Sequence, residues 1–72
     1  MSPQATLRVE VSGAERSFEP GTTVAGLIRS LGLQPELVAA EINRELVRRA
    51  EFEKRVLADG DRVELVEFVG GG

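Results

Sequence analysis

The sequence predicts an α+β fold, in which one main helix packs on one face of a mixed sheet of about five strands. Two observations lead to this prediction. Over residues 6–11, apolar residues alternate with polar ones in the period of two that is typical of a half-buried strand. Over residues 24–31, the apolar period changes to that of an amphipathic helix, and strand-like runs return beyond it.

The N-terminal part of the chain predicts a hairpin. Val9 and Val11 share the apolar face of the first strand. The SGAE segment at 12–15 has the composition of a turn, and residues 16–19 can return as a second strand with Phe18 turned inward. The two strands are therefore expected to pair with each other.

The helix has recognisable start and stop signals. Its apolar stripe follows the i, i+3, i+4, i+7 spacing across residues 24–31, as expected of a face packed on the core. Thr22 or Thr23 can cap the first turn. Gly32 suits the left-handed position after the last turn, and Leu33 can then fold back onto the helix.

The second half of the chain predicts three more strands, at residues 37–43, 46–48 and 62–69. A turn at 43–45 joins the first two. The polar segment 49–57 is expected to be short and helical or irregular, lying over the core. Its anchors are the apolar residues Phe52, Val56 and Leu57. The order strand, strand, helix, strand, strand, strand is consistent with a β-grasp fold.

The alternation of the final strand breaks near its end. Glu67 falls on the face of Val63 and Leu65, whereas the opposite face has Val66 and Phe68. One explanation is a central strand buried on both faces, or a bulge that resets the register. The other is that Val66 and Phe68 are exposed beside the chain end and form a partner docking patch.

Composition excludes several classes of function. Among 72 residues there are 12 acidic and 9 basic side chains, with no His, Cys, Tyr or Trp, so the usual proton shuttle, thiolate nucleophile and soft metal ligands are missing. The carboxylate pairs at 51/53 and 59/61 lie in short polar stretches typical of solvated turns. We therefore expect no catalytic residue and no metal site.

The partners and location follow from charge and hydropathy. The net charge of -3, without a basic run, argues against nucleic acid as a partner. No apolar stretch approaches the roughly 20 residues that a membrane span needs, and the first residues lack the apolar core of a signal peptide. We expect a cytoplasmic protein without a membrane partner.

Three glycines, Gly70, Gly71 and Gly72, follow the final strand. We expect residues 1–69 to form a single domain and residues 70–72 a flexible tail, because backbone without Cβ atoms can thread a narrow channel. A terminal carboxylate, with a pKa of about 3.5, is ionised and poorly electrophilic until a partner activates it, for example by adenylation with ATP. The plainer alternatives are an unstructured terminus or a linker remnant.

Ordered motifs across the chain indicate a family. VAAEINRELVRRAEF (38–52) and VLADGDRVELVEFVGGG (56–72), with PGTTVAGLIRSLGL (20–33) at the helix, resemble the ThiS family of sulfur carriers of thiamine biosynthesis. The small subunit of molybdopterin synthase is similar, but less closely. Family members often have a Pro before the Arg that follows the short strand, and Arg48 occupies that place here.

The resemblance implies a β-grasp, ubiquitin-like domain that is a protein cosubstrate and not an enzyme. Gly72 would bear the adenylate and then the thiocarboxylate, and Gly70 and Gly71 would be recognised as the tail. The implied partners are an E1-like adenylating enzyme, thiazole synthase, and a cysteine desulfurase or another sulfur donor. No cofactor would be bound, since ATP is used by the activating enzyme.

Three alternatives share parts of this interpretation. The chain could carry sulfur to molybdopterin or cysteine synthesis, which would use the same tail with a different acceptor. It could be a ubiquitin-like modifier, although its single lysine, Lys54, offers almost no site for chain building. It could also be a plain interaction module in which the glycines have no chemical role.

Overall fold

The computed structural model describes residues 6–68. The strands are β1 (Leu7–Val11), β2 (Ala14–Phe18), β3 (Val38–Ile42), β4 (Glu45–Val47) and β5 (Arg62–Glu67). The α-helix α1 is Val24–Ser30, and two short 3-10 helices are Pro35–Leu37 and Arg49–Glu51. The predicted tail at 70–72, and the predicted end of the last strand at Val69, lie outside the described residues.

The five strands form one mixed sheet in the order β2-β1-β5-β3-β4. β1 and β5 pair in parallel, with Val11 beside Val63, and the other neighbours are antiparallel. The chain passes from β2 through α1 to β3, crossing over the two strands between them. This confirms the predicted mixed sheet with one helix, and it makes the last strand the central one.

Local signals set both ends of α1, as the sequence predicts. Thr23 is the N-cap, and its Oγ1 accepts a hydrogen bond from the N–H of Gly26 at 3.1 Å. Gly32 has a φ of 78°, which lets the N–H of Leu33 donate back to the carbonyl of Ile28 at 3.2 Å. This is the Schellman arrangement that ends a helix at a left-handed residue.

The core lies between α1 and one face of the sheet. From the helix, Val24, Ala25, Leu27 and Ile28 are fully buried. The sheet contributes Val9, Val11, Val38, Ala40, Ile42, Val47 and Val63. Phe18, Leu31, Leu33 and Leu65 pack at its margin, so the sequence prediction that Phe18 turns inward is confirmed.

The segment that follows β4 covers the end of the core and departs from the prediction at one residue. Phe52 and Leu57 are buried, as expected of anchors. Val56 is 50% exposed, so its assignment as an anchor is wrong. It forms an isolated bridge with Thr23, and its neighbour Leu57 takes the inward position because successive residues of extended chain point to opposite sides.

Arg48 has the backbone conformation of a proline. Its φ of -71° and ψ of 144° match the fixed φ and extended ψ of that residue. The departure from the family pattern at this position is therefore compatible with an unchanged backbone. What differs from the family pattern is then the side chain, which in Arg48 is exposed.

The EIN and DGDR motifs meet in a polar connection between the β3–β4 turn and the start of β5. Within residues 6–68, Asp61 is the one charged side chain that is buried. Its carboxylate accepts hydrogen bonds from Nδ2 of Asn43 at 3.0 Å and from the N–H of Ala58 at 2.8 Å. Oδ1 of Asn43 accepts in turn from the N–H of Arg62 at 3.0 Å.

This connection holds a turn that strains the backbone. Asn43 and Arg44 both have positive φ, at 52° and 72°, as a two-residue hairpin turn requires. Asn tolerates that conformation better than most residues, and its side chain is fixed by Asp61. The motifs therefore set the relative position of β3, β4 and β5, which is a structural role.

We predict that Asp61→Ala lowers the free energy of unfolding by about 3 kcal/mol, because it removes a charged acceptor from two donors in a buried site. Asp59 is a control in the same loop. It is exposed, and its Oδ1 accepts only the N–H of Arg8 at 2.7 Å, so Asp59→Ala should cost about 1 kcal/mol. Urea denaturation of both variants measures the difference, and equal losses would contradict the structural role of Asp61.

Candidate functional site

The candidate site is the end of β5 together with the sheet face beside it. Phe68 is the last described residue, and its N–H donates to the carbonyl of Leu37 at 2.8 Å. The chain is thus tied to the sheet margin up to Phe68. Four residues follow in the sequence up to Gly72, and they can reach at most about 14 Å when extended.

The structure resolves the question that the sequence left open about Val66 and Phe68. Their side chains are 58% and 51% exposed. The pairing of β3 with β5 runs without interruption from Val38 opposite Glu67 to Ile42 opposite Val63. Burial on both faces and a bulge are therefore both wrong as explanations of the broken alternation, and exposure is confirmed.

The cause of the broken alternation is that only one sheet face is covered. Val63 and Leu65 face α1 and the core, and Glu67 follows them on the same side, where it is exposed. Val66 and Phe68 point to the opposite face, which no described element covers. A central strand can therefore expose large apolar side chains here.

These side chains belong to a larger surface, which we call the apolar patch. Val66 lies directly opposite Ala39 in the sheet, and Leu37 lies beside Phe68. Leu46 on β4 is the most exposed large apolar residue of those described, at 70%. The members of the apolar patch are Leu37, Ala39, Leu46, Val66 and Phe68.

Sequence reasoning identified Val66 and Phe68 but missed the other members of the patch. A usable signal was present in the run LVAA, residues 37–40, which is apolar on both faces of a strand just as residues 63–68 are. Only the pairing of β3 with β5 shows that the two runs lie side by side. An apolar surface of this kind, left uncovered on a small domain, is typical of an interaction site.

Arg49 holds together two chain segments that border the apolar patch. Its guanidinium donates to the carbonyls of Pro35 at 3.2 Å and Val38 at 3.3 Å. The segment that carries Leu37 is thereby tied to the segment that follows β4. The patch is thus built on hydrogen-bonded backbone, which favours a preformed surface.

Three of the four carboxylates considered as catalytic pairs have structural partners. Asp59 and Asp61 accept the hydrogen bonds described above. Glu53 pairs with Arg29 of α1, and the hydrogen bond from that guanidinium lowers the pKa of Glu53 and raises the pKa of Arg29. Among residues 6–68, no group of three or more acidic, His or Cys residues could hold a metal ion.

Within the same residues, no helix is both long enough and apolar enough to cross a membrane. The longest, α1, has seven residues.

Comparison with known proteins decides the family. The model of the ThiS family matches residues 5–72. The chain belongs to the ThiS family. The sulfur carrier protein ThiS of Bacillus subtilis is 31% identical over 65 residues, which are 89% of this chain and 98% of that protein. That relative is named as a sulfur carrier, and this ThiS-family chain matches nearly all of its length.

Solved structures confirm the β-grasp fold. The crystal structure of the thiamine biosynthesis protein ThiS from Geobacter metallireducens has a TM-score of 0.76 and 32% sequence identity, covering 92% of this chain and all of that one. A designed protein based on human ubiquitin has a TM-score of 0.50 at 23% identity, covering 93% of this chain and 95% of that one. The second similarity shows the fold alone, which is the ubiquitin-like fold that the sequence predicts.

Two further relatives are larger proteins. The thiazole synthases of Magnetococcus marinus and Paramagnetospirillum magneticum are 39% and 36% identical over 66 residues. The match covers 92% of this chain but only 20% of each synthase, so the chain spans a fifth of their length. In both proteins, a ThiS-like segment is thus part of a chain named for thiazole synthesis.

Proposed function

We propose that the chain carries sulfur as a thiocarboxylate on Gly72. An E1-like adenylating enzyme would activate the terminal carboxylate with ATP, and the loaded carrier would give its sulfur to thiazole synthase. The observation that supports this most strongly is the exposed apolar patch at the end of β5. It is separated by one residue from three glycines in a member of the ThiS family.

The chemistry follows from the weakness of a carboxylate as an electrophile. At neutral pH the group is ionised, because its pKa is about 3.5. An oxygen of the carboxylate would attack the α-phosphorus of ATP, forming the acyl-adenylate and releasing pyrophosphate. Hydrosulfide from a sulfur donor would then attack the carbonyl carbon and displace AMP, which gives the thiocarboxylate directly. If a cysteine desulfurase supplies the sulfur as a protein persulfide, the same attack gives an acyl disulfide, and a thiol reductant must then cleave its S–S bond to release the thiocarboxylate.

In this proposal, docking and chemistry are divided between different parts of the chain. The apolar patch, through Val66 and Phe68, would bind the activating enzyme. The tail beyond Phe68 can reach about 14 Å from that surface, which limits how far the nucleotide site can lie from it. Glycine at 70 and 71 would let the backbone pass a narrow channel and adopt positive φ.

Thiazole synthase is the proposed acceptor because of the two larger relatives. When two activities are joined in one chain, their separate counterparts often act together. A ThiS-like segment within proteins named thiazole synthase therefore supports that enzyme as the partner of this chain. The same chain end could serve molybdopterin or cysteine synthesis, and the acceptor is the point on which those alternatives differ.

Intact-mass spectrometry tests the function directly. Incubated with ATP, the adenylating enzyme and a sulfur donor, the chain should exchange one oxygen for one sulfur, and fragmentation should place the change at Gly72. A variant that lacks Gly72 is the control. Absence of both adenylate and thiocarboxylate on the unaltered chain would refute the carrier function, and adducts with other proteins would favour the modifier.

Gly71→Ala should slow adenylation at least about tenfold while leaving the unfolding midpoint unchanged. The added Cβ would take up room in the narrow channel of the activating enzyme, and it would restrict φ at residue 71. Initial rates of pyrophosphate release measure the effect. Equal rates for Gly71→Ala and the unaltered chain would show that the tail is not recognised closely.

Gly26→Ala is the matched control, since it makes the same change inside α1. There the added Cβ would lie in ordinary contact with Thr22 and Thr23, at 3.5 Å from each. Because Ala favours a helix over Gly by about 1 kcal/mol, this variant should unfold at a higher midpoint. Its rate of adenylation should equal that of the unaltered chain.

Val66→Ala and Phe68→Ala should raise the KM for the carrier about tenfold, because each removes exposed apolar area from the proposed docking surface. Their free energy of unfolding should fall by less than about 1 kcal/mol. Val63→Ala, on the buried face of the same strand, should instead cost about 2 kcal/mol with little change in KM. The reverse pattern would contradict a docking role.

A further inference from the structure

Two carboxylates lie directly opposite each other on the uncovered sheet face. Glu41 on β3 is the registered partner of Glu64 on β5. Both side chains are exposed, and both alternate with residues buried against α1, such as Ile42 and Val63, so they share the face away from the core. We call Glu41 and Glu64 the acidic pair.

The acidic pair has no ion-pair partner in the described part of the chain. Neither carboxylate forms an ion pair within residues 6–68. Arg8 and Arg62 lie on the same face of the sheet, but they pair with Glu15 at 3.5 Å and Glu10 at 3.6 Å. Like charges directly opposite each other on adjacent strands destabilise a sheet, so the pair costs the free protein stability.

The acidic pair borders the apolar patch on the side away from Phe68. Glu41 lies opposite Leu46 of the patch, and the next row of the same face is Ala39 with Val66. Rows of one face are about 7 Å apart along a strand. Glu64 is therefore about 14 Å from Phe68, measured along β5. The face therefore has an apolar end at Phe68 and an acidic end at Glu41 and Glu64.

We propose that the acidic pair binds a cationic side chain of the adenylating enzyme, an arginine by preference, at the border of the apolar docking surface. This proposal rests on the proposed function, whose docking surface it extends. A guanidinium placed between the two carboxylates can donate a charge-assisted hydrogen bond to each. Apolar contact next to it excludes water and strengthens the interaction.

Charge complementarity favours this occupant over a second copy of the chain. A second copy would have to supply a cation from its own surface. Arg8 and Arg62 of its equivalent face already form ion pairs. Arg48 beside Leu46 is one further cation against the two carboxylates of each acidic pair, so a face-to-face dimer would place excess carboxylates in the contact. A partner that has an arginine or lysine beside an apolar surface would complement both the acidic pair and the apolar patch.

The test compares Glu41→Gln, Glu64→Gln and the double variant with Glu67→Gln. Glu67 is the matched control, because it is exposed on the same strand but on the helix side of the sheet. The double variant should raise the KM for the carrier in adenylation at least about tenfold, with kcat unchanged and a weaker dependence of KM on salt. Glu67→Gln should leave KM unchanged.

The stability of the free variants provides an independent measurement. Relief of like-charge repulsion should raise the unfolding midpoint of the double variant at low salt, although its binding is weaker. A lower midpoint would show that the pair supports the fold and would overturn the proposal. If the double variant has the same KM as Glu67→Gln, the proposal is overturned as well. The carrier function would still stand in that case, provided that the unaltered chain is adenylated.

Two further outcomes of these experiments would have different consequences for the proposal. If the unaltered chain is not adenylated at all, the proposed function fails, and this inference fails with it. If sedimentation shows a dimer that the double variant loses, the occupant of the face is a second copy, and the assignment to the adenylating enzyme is overturned.

Discussion

The packing of α1 on one face of a five-stranded sheet is the constraint on which the rest of this structure depends. A single seven-residue helix buries the apolar side chains of one face, and in a chain of this length no other described element is available for the other. Small domains are limited in the apolar surface they can bury, so the core is one-sided. The consequence is a central strand, β5, whose inner residues stabilise the fold while its outer residues remain free to contact another protein.

The polar connection around Asp61 complements this core. It links the β3–β4 turn to the start of β5 by hydrogen bonds, at the end of β5 opposite to Phe68. Because it fixes the register of β3 and β5, it also determines which residues share the uncovered face. The motifs that most clearly resemble the ThiS family are thus partly structural, and their distance from Gly72 does not make them irrelevant to function.

The uncovered face and the tail form one functional unit in the proposed mechanism. The fold supplies a preformed surface, and the glycines supply a chain end without side chains. A partner enzyme would contribute the nucleotide and the electrostatic stabilisation that the carrier's own composition does not offer. Membership in the ThiS family agrees with this division, since a carrier needs recognition surfaces more than catalytic side chains.

Local sequence determined most of the elements and both ends of α1, because the Thr23 cap, the left-handed Gly32 and the apolar period of the helix act over a few residues and can be recognised without the fold. The glycine tail and its family resemblance were evident for the same reason. The first hairpin turn was determined less well, since the sequence predicts it at 12–15 whereas β2 already begins at Ala14. The tertiary structure alone decided that Val56 is exposed, that Leu37 and Leu46 join Val66 and Phe68 in one patch, and that Glu41 faces Glu64. These facts depend on pairing between strands that are far apart in the sequence, and on which sheet face the helix covers. A strand that is apolar on both faces shows only that two surfaces exist; the packing of the helix decides which of them is buried.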